Sequence, residues 1–204
     1  MNLRVDINHH GSLRERKKAR TRTAIRQHAL RLFREQGYAA TTIEQIAAAA
    51  EVSPSTFFRY FPTKEDVILR DDFDGRMFEA FERQPASLSA VAALRAAIRE
   101  SIATLTPEEW AELQEMSAFA MSTPEVRARM VDELTRTMNE AADVLAKRLG
   151  RSPGDLSVRV SVGAVFGVVM AVMRPETYAE GTIDAQAFNR IDEALALLES
   201  GIPL

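Results

Sequence analysis

The sequence predicts an all-α fold of about nine helices, and three observations carry that prediction. Apolar residues recur at three- and four-residue spacing, with no segment of strict alternation. The breaks between these segments hold helix punctuation: Ser or Thr followed by Pro, and Gly just past an apolar stripe. One segment, 160–173, is apolar on nearly every face, as a helix covered on both sides would be.

The elements follow in order. A first helix is expected over Leu13 to Gln36, with Ile25, Ala29, Leu32 and Phe33 as its apolar stripe. Gly37 ends it at a position that favours left-handed backbone. Thr42 and Gln45 can form a capping box for a short alanine-rich second helix, Ile43 to Ala50. Ser53 caps a third helix with Pro54 at its first position, and Pro62 ends it. Thr63 and Asp66 open a fourth helix that runs to about Glu82. A fifth is expected over Leu88 to Leu105, and Thr106-Pro107-Glu108-Glu109 starts a sixth. Thr123-Pro124-Glu125 starts a seventh that ends near Gly150. Ser152-Pro153 opens an eighth that ends before Pro175, and Asp184 opens a ninth that ends at Gly201.

Charge divides the chain. Residues 1–64 carry 12 Lys/Arg against 5 Asp/Glu, a balance of +7, whereas residues 65–204 carry 14 against 24, a balance of −10. A basic third on an acidic body suggests a polyanion-binding module joined to something else. The expected division is residues 13–69 and residues 70–204. There is no cysteine, so disulfides and thiolate metal ligands are excluded. All three His (9, 10 and 28) lie in the basic third, which leaves the body without His/Cys metal ligands. "DDFDG" at 71–75 has the wrong spacing for a calcium loop. The longest apolar run is about 14 residues, short of the ~20 that a bilayer span needs. No metal, cofactor or membrane partner is expected, and the expected location is the cytoplasm.

The third helix, "SPSTFFRYF", holds four of the chain's fourteen aromatic residues. At about 100° per residue, Ser55, Thr56 and Arg59 fall on one side. Phe57 and Phe61 fall on the other, with Phe58 bordering the polar face and Tyr60 between the two. Two short helices joined by a tight turn and preceded by a longer one form a helix-turn-helix. Ser and Thr hydroxyls, a bidentate Arg and an aromatic edge are all suited to base edges in a major groove. Lys64 and the start of the second helix suit phosphate. Arg14, Arg16, Lys17, Lys18, Arg20 and Arg22 supply a basic arm.

Residues 23–68, "TAIRQHALRLFREQGYAATTIEQIAAAAEVSPSTFFRYFPTKEDVI", resemble the DNA-binding domain of the tetracycline-repressor (TetR) family. The resemblance rests on the LF…GY-x-x-T-T turn, the I-A-x-x-A-x-V-S turn, the aromatic helix and the Lys-Glu after it. It implies that Thr41 and Thr42 start the second helix at a phosphate. It places Pro54, Ser55, Thr56, Phe58 and Arg59 toward the groove, and Tyr60 and Lys64 at phosphates. Phe57-Phe58 stands where the family most often has Leu-Tyr or Ile-Tyr, so the usual hydroxyl is absent at Phe58. The segment 88–149 is faintly similar to the C-terminal domains of members related to the mycofactocin regulator, which implies bulky acyl-type ligands.

For the body, the resemblance implies helices around a ligand pocket and a last pair that forms a homodimer. Pocket candidates are Met77, Phe78, Phe81, Trp110, Leu113, Met116, Phe119, Met138, Phe166, Met170 and Met173, since methionine and aromatic side chains line adaptable apolar sites. Each by itself also fits an ordinary core. Interface candidates are Gly163, Gly167 and Ala171 on the eighth helix, and Phe188, Ile191, Leu195 and Leu198 on the ninth. The expected protein is a homodimeric transcriptional repressor, not an enzyme. Its expected partners are a palindromic double-stranded DNA operator and a hydrophobic small molecule that releases it. Two rivals are an all-α enzyme or carrier with an incidental basic end, and an architectural DNA-binder without an effector.

Overall fold

The computed structural model describes residues 13–70, 73–172 and 185–201. Met173, Asp71, Asp72, Pro175, Asp184, His9 and His10, on which some expectations above rest, lie outside the described residues, as does the side chain of Arg16. The described residues form α1 (Leu13–Gln36), α2 (Ile43–Ala49), α3 (Pro54–Tyr60), α4 (Asp66–Leu69), α5 (Phe73–Arg83), α6 (Ala90–Ala103), α7 (Pro107–Ser122), α8 (Pro124–Leu149), α9 (Leu156–Val172) and α10 (Ala185–Glu199). No strand occurs among them. The chain divides into two compact units between Val67 and Ile68.

In the first unit, α1 buries Ile25, Ala29, Leu30 and Phe33, and ends at Gly37 with φ 85°. Leu32, expected on this stripe, is only half-buried, and Leu30 takes the core position. The α2 contribution is Ile46 and Ala47, that of α3 is Phe57 with Phe61 just past its end, and Val67 completes the core. The Phe57 and Phe61 rings lie 5.9 Å apart and are wholly buried. At about 25 cal/mol per Å2 of apolar surface, two buried rings outweigh any other pair of side chains in so short a helix. They fix the rotation of α3 about its own axis.

The second unit is a helical body. α5 packs on α6 and α8, α9 on α8 and α10, α10 on α6, and α7 on α8. Small residues let the helices approach: Ala80, Ala93, Ala97, Ala142 and Ala146 form a core with Phe81, Leu145, Val158 and Val162. A second cluster is built on Ile98, Ile191 and Leu195. Arg95 of α6 ties α10 by donating to both carboxylate oxygens of Asp192, at 3.0 and 3.1 Å, and to Glu199 at 3.2 Å.

Several boundaries differ from expectation. The fourth helix stops at Leu69, because Arg70 is not helical, and helix resumes at Phe73. α6 starts at Ala90 and not Leu88, and Ser89 caps it by accepting from Ala92 N at 3.0 Å. Thr123 makes no side-chain cap for α8. Asp155 takes over from Ser152 at the start of α9, accepting from the Ser157 amide at 2.9 Å. Gly75 has open space around a would-be Cβ, so it marks no close approach. No helix among the described residues is long and apolar enough to cross a membrane.

Candidate nucleic-acid interface and apolar cavity

Helix α2 is held at both ends. Thr42 and Gln45 form the full capping box: the Gln45 amide donates to Thr42 Oγ1 at 3.2 Å and the Thr42 amide to Gln45 Oε1 at 2.9 Å. Gln36 reaches over from α1 and donates to Gln45 Oε1 at 2.9 Å and Thr41 Oγ1 at 3.2 Å. After α2, Val52 N donates to Ala47 O at 2.9 Å, and Glu51 turns the chain with φ 54°. Ser53 then caps α3 by accepting from Thr56 N at 3.1 Å.

This frame leaves Thr42, Pro54, Ser55, Phe58 and Arg59 exposed on the unit's surface. Thr56 is half-buried, and its hydroxyl accepts from Ser53 Oγ at 3.0 Å. Phe58 is 50% exposed and meets Phe57 edge-on at 5.7 Å. Arg59 lies over the half-buried Tyr60 ring, 5.4 Å from its centroid, which steadies a long side chain without using its donors. Arg20 is exposed on α1, whereas Arg22 covers the Phe61 ring at 5.4 Å. The basic segment from Leu13 onward lies within α1, at the bounds expected for the first helix.

Two expected phosphate contacts face inward. Thr41 is 1% exposed, and its hydroxyl donates to Gly37 O at 2.8 Å. Lys64 donates to the carbonyls of Tyr38 and Thr41 at 2.7 and 2.9 Å, and its ammonium lies 3.9 Å from the Tyr38 ring centroid. Both side chains close the turn between α1 and α2. The Tyr38 hydroxyl in turn donates to Glu65. Burial pushes the Glu65 carboxyl up, but hydrogen bonds from Tyr38, its own backbone and Thr63 outweigh it and hold the group below its usual value.

In the second unit, α5, α6, α8, α9 and α10 border an apolar cavity of about 430 Å3 that is partly open to solvent. Met77, Phe78, Phe81 and Phe166, named from the sequence, line it. Met116 is buried in α7, Met138 packs into the core beside Ala142, and neither Phe119 nor Leu113 reaches the cavity wall. Trp110 stops one layer short, edge-on to Phe188 at 5.6 Å. Met170 points away, 58% exposed. Phe188 and Ile191, expected at an interface, line the cavity, Leu198 joins them, and Leu195 is wholly buried in the chain's own core. Val91, Leu94 and Val169 are wall residues that no motif marked. Gly167 and Ala171 are exposed and Gly163 is half-buried. Among the described residues no cluster of His, Asp or Glu is arranged for a metal.

A capped reading helix on a basic three-helix unit, followed in the same chain by a helical body with an apolar cavity, defines a helix-turn-helix transcriptional regulator. Residues 25–70 match the family model "Bacterial regulatory proteins, tetR family", and residues 88–203 match the model "MftR C-terminal domain". The chain is 33% identical over 184 residues to HTH-type transcriptional regulator TcmR of Streptomyces glaucescens, spanning 87% of this chain and 81% of that protein. It belongs to the TetR family of DNA-binding transcriptional regulators, which are not enzymes. Solved structures share the fold. A TetR-family regulator from Syntrophomonas wolfei is similar with a TM-score of 0.59 at 17% identity, covering 92% of this chain and 98% of that one. FadR of Thermus thermophilus, a TetR-family repressor solved in complex with lauroyl-CoA, gives 0.55 at 26% identity, covering 90% and 95%.

Proposed function

We propose that this chain is a homodimeric repressor that binds a palindromic operator and is released by a hydrophobic small molecule. One observation carries the reading. The same chain holds a reading helix with Ser55 and Arg59 exposed and a cavity walled by Phe78, Phe81, Phe166 and Phe188. A cavity of this size and lining suits a small apolar ligand. The lauroyl-CoA bound to the Thermus thermophilus relative supports an apolar effector here. In the reading helix, Ser55, Thr56 and Arg59 face base edges, and Pro54, Phe58 and Tyr60 flank them. Thr42, Arg20 and Arg22 sit toward phosphate.

Dimerisation is supported by a stripe on α9. Leu156, Val160, Gly163, Gly167 and Met170 recur at alternating four- and three-residue spacing, the spacing of a helix–helix seam. Leu156, Val160 and Met170 are 76, 60 and 58% exposed. Ala171 borders this stripe. A two-fold pair of reading helices fits half-sites about one turn apart. Phe73, the first wall residue, stands six residues beyond Val67. An effector that favours one arrangement of α5 shifts the population of DNA-competent dimers.

The test is a mobility-shift assay with the region upstream of the chain's own gene at moderate salt, followed by titration of apolar compounds. A specific shift that such a compound reverses is expected. Absence of any specific shift sinks the regulator reading. A specific shift that no ligand reverses favours an architectural DNA-binder, and a shift strengthened by ligand favours an activator.

A further inference from the structure

The cavity wall is apolar except in one region. Among the described residues that line it, Asp74 is the one with a charged side chain, and Thr137 and Ser161 carry the hydroxyls. Ser161 donates to Ser157 O of its own helix at 2.8 Å, so its proton is used within α9. Thr137 is different. It is 9% exposed, sits midway along α8, and its hydroxyl is directed at Asp74 Oδ2 of α5 at 3.5 Å. A carboxylate in the first turn of a helix gains from the helix dipole, and this alone accounts for an acid on α5. It does not account for the acid lying in the wall of an apolar cavity. There it is the carboxylate, among the described lining residues, that an entering molecule meets.

Resting on the reading of the cavity as the effector site, we propose that it selects an apolar molecule carrying a hydrogen-bond donor, a hydroxyl or a protonated amine, and disfavours a carboxylate. Asp74 is the specificity-determining group, and Thr137 is the positioning residue that orients it. A donor meets a carboxylate acceptor, and a hydrogen bond to such a group is stronger than one between neutral partners. An entering carboxylate meets a like charge and loses its own hydration.

The chain contains a built-in reporter. Trp110 is its single tryptophan and lies edge-on to Phe188 of the wall. Dodecylamine, 1-dodecanol and laurate, each below its solubility or aggregation limit, are titrated into the full chain while Trp110 fluorescence is followed. The amine and the alcohol are expected to bind about tenfold or more tightly than laurate. Asp74→Asn is expected to weaken the amine by about tenfold or more and to tighten laurate, because an amide N–H can donate to it. A merely structural Asp74 would not reverse a ranking. Thr137→Val, which keeps the charge, is expected to preserve the ranking while weakening the alcohol. Equal binding of all three probes, or an unchanged ranking in Asp74→Asn, overturns this proposal and leaves the repressor reading standing. No response to any probe overturns both this proposal and the effector role of the cavity. Should Asp74→Asn not fold, the wild-type ranking decides.

Discussion

The ammonium of Lys64, for which the family pattern implies a phosphate contact, donates to the carbonyl of Tyr38 at 2.7 Å. A second bond runs to Thr41 O at 2.9 Å, and the ammonium lies 3.9 Å from the Tyr38 ring centroid. Lys64 thus holds the α1–α2 turn, which sets where α2 begins. Lys64→Met keeps the methylene stem and removes both bonds. It is expected to destabilise the first unit by about 1–3 kcal/mol, the cost of stranding half-buried acceptors. The slope of log K against log salt is expected to stay unchanged, whereas Arg20→Ala, which removes one contact from each subunit of the proposed dimer, flattens it by about 1.8. If Lys64→Met flattens the slope equally, Lys64 is a phosphate contact after all.

Arg59 is exposed beside Ser55 and steadied by Tyr60. Arg59→Ala is expected to relax preference at one base position, with a cost of about 1–3 kcal/mol against the preferred operator. Binding to a panel of single-base operator variants reads this. Uniform weakening across the panel would reassign Arg59 to phosphate.

Glu51 turns the chain between α2 and α3 in left-handed backbone, with φ 54°. An L side chain is strained there by about 1–2 kcal/mol, and glycine is not. Glycine recovers part of this and loses part to the greater freedom of the unfolded chain. Glu51→Gly is therefore expected to raise stability by about 0.5–1 kcal/mol in denaturant titration of the full chain. A loss of stability would mean that the Glu51 side chain contributes a contact worth more than the strain.

How α3 divides was legible in the sequence, because 100° steps separate Phe57 and Phe61 from Ser55 and Arg59 with no knowledge of neighbours. Capping boxes at Thr42, Thr63 and Thr106 were legible for the same reason, since they are local. The inward turn of Lys64 was not, because a four-carbon stem can point to solvent or to a carbonyl at equal sequence spacing. Phe188, Ile191 and Leu195 show the other limit. A helical stripe tells that a face is covered, but not whether the cover is the chain itself or a second copy. Met170 failed in the opposite sense, as an apolar residue on an all-apolar helix whose side cannot be read from periodicity.

The α6–α10 tie sets a pH dependence. The Arg95 guanidinium bonded to Asp192 holds that carboxyl below its ordinary value, and Ser89 followed by Arg95 does the same for Glu199. A depressed folded value means that the stabilisation is fully present above the unfolded carboxylate value, about 4, and is lost as pH falls through the folded one. Asp192→Asn is expected to lower the midpoint of thermal unfolding by a constant amount between pH 8 and about 5. The gap narrows as pH falls below about 4 toward the lower folded value, where the wild-type group becomes protonated in the folded chain as well. A gap that stays constant into strong acid would remove the ion pair as its source.

Gly167 separates the stability of one chain from that of a dimer. It is exposed on α9, and a Cβ built there meets nothing within 4 Å, so its own chain has room for a side chain. The interior of a helix disfavours glycine by about 0.5–1 kcal/mol relative to alanine. Gly167→Gln is therefore expected to stabilise the single chain by a similar amount. In the proposed pair of α9 helices the same side chain falls in the seam between Gly163 and Met170 and forces the backbones apart. Light scattering is expected to show a monomer that is folded, has an unchanged α-helical spectrum, and no longer binds a two-half-site operator at concentrations where the wild type does. Because this variant is predicted to fold better, loss of the dimer cannot be attributed to damage. A Gly167→Gln protein that remains dimeric and binds the operator would move the interface off this face of α9.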